Sequence, residues 1–288
     1  MSVLAIGISV FDTTVTMNED IIVDSKHRVS ARYECAGGQA SNAACVLGKW
    51  GLKTYMVSRV GKDAGGKCIL DTFKNMGVDI SYMNVLDNYT TSSSVIINHA
   101  HTGQRTILNY QDPVLDIEYT LPEKIDFLLL DSHEEKIGMD ALQKYDVPSM
   151  LDAEKVNELT LKYAKEVDYI VASERFAKTF TGLELIEANY QSVIDKIRAL
   201  NNKRVVVTLG ERGLIYEING VVKHMDAFKV DVVDTTGAGD IFHGALVYAL
   251  HEHRDYETAL LFASKTSSIS VGRKGGSTSI PDLEEVQI

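Results

Sequence analysis

The chain has 288 residues, 45% of them hydrophobic, and a formal net charge of −11 from 40 acidic against 29 basic side chains. That balance suits a globular protein with a sizeable core, of two domains or one large α/β domain. Its sign argues against nucleic acid or an anionic membrane as the main partner, because either needs a basic face.

The first apolar run, residues 3–9, reads as a buried strand: it has neither the basic n-region nor the small-residue cleavage pattern of a signal peptide. Further strands are expected at 53–60, 127–131, 148–152, 169–173 and 204–209, and helices at 40–50, 65–76, 138–145, 157–166, 190–200 and 241–250. Apolar strands alternating with helices predict an α/β fold whose mostly parallel sheet is covered on both faces, with ligands beyond the carboxyl ends of the strands. Two segments, 13–36 and 91–112, instead alternate β-branched and polar residues, as in Ser92, Ser94, Ile96 and Asn98. Alternation argues for strands with one face in solvent, either as surface hairpins or as one small sheet outside the main body. No stretch approaches the ~18 apolar residues of a membrane-spanning helix. Cys35, Cys45 and Cys68 show no CxxC spacing and read as reduced thiols, so the chain is expected to be cytoplasmic.

Two glycine-bearing junctions carry chemistry. Gly37 and Gly38 precede the helix at 40–50 and permit close approach of a ligand to the backbone. Asn42 lies one turn in, where its amide can both donate to and accept from a hydroxyl. The plainer alternative is a loop-to-helix junction with an exposed Asn. Asp234, Thr235, Thr236, Gly237, Ala238, Gly239 and Asp240 then run into the helix at 241–250. The glycines allow a tight turn, and the helix start offers unpaired N–H groups and a positive dipole end, a device for holding a polyanion. Asp240 is either a helix N-cap or a general base taking a proton from an attacking hydroxyl. Asp131 and His133, after an apolar strand, also come within reach of such a pocket, although a loop histidine is more often structural.

The run DTTGAGD followed by IFHGAL resembles the C-terminal signature of the ribokinase-like (PfkB) carbohydrate kinases. The resemblance covers essentially the whole chain and implies a three-layer sandwich, a mostly parallel central sheet plus a small β-sheet lid, in a single domain spanning residues 1–288. It makes Asp240 the catalytic base and Gly237, Ala238 and Gly239 the anion hole. In the block GGQASN, Gly38 and Asn42 would contact the sugar, with Asp12 accepting from its hydroxyls. The block from Arg59 to Gly66 is similar to the family's next motif, and Thr208, Gly210 and Gly213 match the segment along the ATP phosphates. Asp234, Thr236, Ser270, Arg273, Gly275 and Ser279 match the residues that enclose a monovalent cation, several through their backbone carbonyls, so K⁺ is expected beside ATP and Mg²⁺.

The chain departs from the family where N-x-x-E is usual: Ser173 and Phe176 stand there, and Glu174 is the nearest carboxylate. The same stretch is similar to ketohexokinase-like members, as are Gln39, the run Thr102 to Ile107, and Asp24 twelve residues after Asp12. This adds Asp24, Arg105 and Gln39 as candidate sugar contacts, with Gln39 replacing a shorter amide. The implied activity is ATP-dependent phosphorylation of a small carbohydrate, with a ketose as one candidate, by a homodimer joined through the lid. Three rivals stand: a nucleoside kinase, a phosphosugar kinase favoured by Lys26, His27, Arg28, Arg32 and Arg105, and a non-catalytic sugar sensor.

Overall fold

The computed structural model describes residues 1–100, 105–113 and 116–287. In chain order the elements begin with β1 (Ser2–Ile6), β2 (Val10–Met17), β3 (Ala31–Gly37), α1 (Gln39–Lys49), β4 (Lys53–Val57), β5 (Arg59–Gly61) and α2 (Ala64–Asn75). There follow β6 (Val78–Asp79), β7 (Asn84–Leu86), β8 (Ser93–His99), β9 (Arg105–Tyr110), β10 (Phe127–Leu130), α3 (Glu135–Lys144), β11 (Ser149–Ala153) and α4 (Glu158–Glu166). The chain closes with β12 (Tyr169–Ser173), α5 (Glu174–Thr181), α6 (Tyr190–Arg198), β13 (Arg204–Thr208), β14 (Leu214–Ile218), β15 (Val221–Met225), α7 (Ala238–His251) and α8 (Tyr256–Ser270).

Nine strands form one sheet in the order β15-β14-β13-β12-β11-β10-β1-β4-β6. All neighbours from β13 to β6 are parallel, and only β14 and β15 add antiparallel. Alternate residues of β1 show why its whole run is apolar. Val3 and Ala5 pack into a core with residues of α1, α2, α7 and α8, whereas Leu4 and Ile6 face a second core with α3, α4, α5 and α6. A strand buried on both faces has no polar side to display. The result is the expected three-layer α/β sandwich.

The two alternating segments form a separate four-stranded sheet in the order β3-β2-β8-β9. Its rows follow the period of two: Asp12 lies beside Cys35 and Ser94, and Ser94 beside Asn109. Residues 18–30 between β2 and β3 are not strand but a largely exposed loop, which corrects the continuous alternation expected over 13–36. Val10 pairs with Gly37 and Thr16 with Ala31, so this loop extends from the end of the sheet away from Val10 and Gly37.

Candidate active site

The segment after β1 and the start of α1 meet at Asp131, which follows β10. Its Oδ2 accepts from the N–H groups of Ile8 (2.9 Å) and Ala40 (3.2 Å), and its Oδ1 faces His133 Nδ1 at 2.9 Å. A Cβ on Gly7 would sit 2.1 Å from this carboxylate, so a side chain there would displace it; β1 ends at Ile6, short of the strand expected at 3–9. Gly38 has φ 103°, and a Cβ there would meet the Ile8 carbonyl at 2.3 Å. Both glycines of the GG pair are sterically compelled, because a Cβ on Gly37 would overlap the Asp12 carboxylate at 2.0 Å.

Asp12 is 7% exposed. Burial lifts its carboxyl to about 6, opposed by a hydrogen bond from Ser94 and assisted by the charge of Asp240. Asn42 Nδ2 donates to Asp240 Oδ2 at 2.7 Å, joining the two motifs that lie 198 residues apart. Asn42 Oδ1 is buried with no partner among the described residues.

Gly237 is the N-cap of α7, at φ 75°, and no side chain caps the helix. A Cβ there would lie 2.9 Å from Gly276 Cα, whereas one on Gly239 would meet nothing within 4 Å. Ile241 N–H bonds the Gly237 carbonyl at 2.9 Å, so the N–H groups of Gly239 and Asp240 precede the helical ladder. The turn thus presents backbone donors toward open space, next to a carboxylate. Burial raises the pKa of Asp240, against the Asn42 hydrogen bond and the nearby His243, while Glu154 and Asp131 add to the rise. Asp240 therefore acts as more than a cap: its carboxylate is spent on Asn42 rather than on its own helix.

Three partners here escaped sequence reasoning. His243, 6% exposed at its side chain, faces the Gly239 carbonyl at 2.7 Å and Asp152 at 3.5 Å. Burial lifts Asp152 to about 7, opposed by His243. Exposed Glu154 couples electrostatically to Asp240 and Asp152. The signal was present: acids at 152 and 154 close a predicted strand, and His243 lies one turn beyond Asp240.

Thr208 ends β13, with its hydroxyl 3.4 Å from the Ala172 carbonyl. Gly210 has φ 61° and Gly213 φ 87°; a Cβ on Gly213 would lie 1.9 Å from the Met225 carbonyl, so this turn requires glycine. Gln39 opens α1 beside Gly38. Asp24 is not brought to this cluster: it is exposed at φ 61° in the 18–30 loop. Arg105 begins β9, but its side chain lies outside the described residues, as do Thr102, Gly103 and Gln104.

The implied metals meet different fates. Glu174, the nearest carboxylate to the missing glutamate, pairs with Lys178 at 3.1 Å and Arg212 at 2.8 Å. Among the described residues no group of three His, Cys, Asp or Glu side chains could hold a metal. One exposed carboxylate, Glu154, suits Mg²⁺ carried mainly by phosphate and water. Asp234, Thr236 and Gly275 do come together, Thr236 N–H at 2.9 Å and Gly275 N–H at 3.1 Å from the Asp234 carboxylate. Ser270 and Ser279 turn their hydroxyls to the carbonyls of Ser267 and Gly276, and Arg273 pairs with Glu285, contacts that concern their side chains and not the backbone carbonyls expected as ligands.

The pfkB family carbohydrate kinase model matches residues 2–283. The chain belongs to that family. It is therefore a sugar kinase, a phosphotransferase with an alcohol group as acceptor. It is 26% identical to a ribokinase of Staphylococcus aureus over 283 residues, 91% of this chain and 90% of that one. A deoxyribokinase of Salmonella typhi is 27% identical, over 86% of this chain and 85% of its own. Among solved structures, the Arabidopsis thaliana ribokinase complexed with ribose and ATP superposes with a TM-score of 0.81 at 25% identity, covering 99% and 96% of the two chains. Among the described residues no helix is long and apolar enough to cross a membrane.

Proposed function

We propose that this kinase uses ATP to phosphorylate a primary hydroxyl of a small, uncharged sugar, a pentose or ketose. The observation that carries the reading is the 2.7 Å contact between Asn42 and Asp240 at an uncapped, glycine-led helix start. The sugar hydroxyl approaches Asp240, which removes its proton; the raised pKa of Asp240 brings the base nearer to working pH. N–H groups at the start of α7 take up the charge that grows on the transferring phosphoryl group. Asp12 accepts from one sugar hydroxyl, and Asn42 Oδ1, an unsatisfied buried acceptor, from another. Mg²⁺ would neutralise phosphate charge, with Glu154 as the carboxylate in electrostatic reach.

The names of the relatives, ribokinase and deoxyribokinase, favour a pentose, whereas the 173–178 stretch favours a ketose, although the longer amide of Gln39 argues against fructose itself. The phosphosugar reading loses support: Lys26, His27 and Arg28 lie in the 18–30 loop away from Asp12, and Arg32 pairs with Glu34. The four-stranded sheet, with the segments 13–36 and 91–112, would be the lid of one domain. Exposed Val95, Leu108 and Tyr110 on it offer a face for pairing two copies. ATP turnover against pentoses, ketohexoses, sugar acids, nucleosides and sugar phosphates tests the proposal. Highest kcat/KM on a free pentose or ketose supports it, and preference for a sugar phosphate or nucleoside overturns it.

A further inference from the structure

His243 is a buried histidine for which the chemistry above has no use. It stands one turn into α7, and its ring spans from the helix start to the central sheet. Nδ1 lies 2.7 Å from the Gly239 carbonyl and 3.5 Å from Asp152 Oδ2, while Nε2 lies 3.4 Å from the Val171 carbonyl. Asp152 and Val171 are direct partners in the adjacent strands β11 and β12, so the ring rests against one rung of the sheet. The short contact to Gly239 settles which nitrogen carries a proton. A carbonyl oxygen can only accept, so at 2.7 Å Nδ1 must donate. The Asp152 carboxylate beside the same nitrogen favours that N–H.

This bond reaches the anion hole through a single peptide. In a planar trans peptide the carbonyl of one residue and the N–H of the next point in opposite directions. The Gly239 carbonyl and the Asp240 N–H share such a peptide. That N–H precedes the helical ladder and is one of the donors the turn presents to open space. A donor seated on the carbonyl therefore holds the plane in which the N–H is aimed, and polarises the peptide so that the N–H donates more strongly. Gly239 gives this hold its purpose. A Cβ there would meet nothing within 4 Å, so no side-chain packing restrains the most flexible residue of the turn.

We propose that His243 is a positioning residue for phosphoryl transfer. Its Nδ1–H, backed by Asp152, holds the Gly239–Asp240 peptide so that the Asp240 N–H meets the transferring phosphoryl group. The proposal rests on the reading of the α7 start as the anion hole.

Two variants of equal shape test it. Asn and Leu both branch at Cγ, but only Asn carries an N–H where imidazole has Nδ1. A mis-aimed donor should cost less than the ~10²–10³-fold of a removed one, and the loss should fall on the transition state. His243→Leu should therefore lower kcat about tenfold, with the KM for ATP within about twofold of the wild type. His243→Asn should keep kcat within about threefold, even where its thermal midpoint is the lower of the two. Equal losses in the two variants, wild-type kcat in His243→Leu, or a loss confined to the KM for ATP overturns the proposal. Should neither variant fold, ¹⁵N spectra of the histidine-labelled wild type above neutral pH decide. A proton on Nδ1 is expected, and a bare Nδ1 with the proton on Nε2 overturns the proposal. A wild type that turns over no sugar would contradict the kinase reading instead, and the spectra, read without substrate, still decide the hydrogen bond.

Discussion

Asp234 and Asp240 bound one seven-residue turn, yet their carboxylates are in opposite conditions. Asp234 has three hydrogen-bond donors from three separate segments of the chain and a pKa held below the ordinary range. Asp240 has the Asn42 amide, acidic neighbours and a raised pKa. Asp12 shares the second condition, with its carboxyl lifted to about 6. The difference separates a carboxylate that builds the site from carboxylates that act in it. Anchors are satisfied within the fold, whereas groups meant for substrate are left expensive to ionise until a ligand arrives.

The comparison breaks first at Asp240. Asp240→Asn should lower kcat by ~10²–10⁴-fold, the magnitude of a lost general base, while ATP still binds. Calorimetric titration with nucleotide beside steady-state kinetics checks both halves; a variant keeping most of its kcat removes Asp240 from the mechanism.

Stability should change in opposite directions at the other two carboxylates. Asp12 binds its proton more tightly in the folded than in the unfolded state, so its ionised form costs stability in full above about pH 6. That cost is relieved as pH falls toward the unfolded value of 3.8. Asp12→Asn should therefore stabilise the free protein by about 1–3 kcal/mol at pH 8 while lowering kcat/KM for the sugar. At Asp234 the folded pKa is depressed, so its contribution is present above the unfolded value and is lost as pH falls through the folded one. Asp234→Asn, which strands buried donors, should destabilise by about 1–3 kcal/mol. Urea unfolding of both variants at pH 8 decides the matter, and shifts of the same sign would dissolve the distinction.

The smallest effect is expected at Asp24. An exposed carboxylate in a loop beyond the end of β2 should tolerate Asp24→Ala with less than about a twofold change in kcat/KM for the sugar. A tenfold loss would return it to the substrate site.

The central strands were legible because burial on both faces leaves an unbroken apolar run, and motif glycines such as Gly38, Gly213 and Gly237 because positive φ or close backbone disfavours a Cβ there. Other elements were hidden or overlooked. The 53–60 run divides at Ser58 into β4 and β5, a break that apolarity alone does not mark. The hairpin of β14 and β15 had a readable signal in Asn219-Gly220, both with positive φ, the pair favoured in tight hairpin turns. In α8, polar residues such as Thr266 and Ser270 are themselves buried, which blurs the amphipathic period. The pairings Asn42–Asp240 and Tyr33–Asp234 span 198 and 201 residues, so only the fold could reveal them.

The most direct test of a poised pair of carboxylates is the pH dependence of kcat/KM for the sugar, which reports ionisations of the free enzyme. Asp240 must be ionised to take the proton, Asp12 accepts a sugar hydroxyl most strongly when ionised, and both pKa values are raised. Activity should therefore fall as pH drops, with the acid limb of the profile displaced above the ordinary Asp value of 3.8 and the Asp12 ionisation at about 6. A profile that stays flat down to the ordinary Asp value of 3.8 would contradict the distinction between acting and anchoring carboxylates.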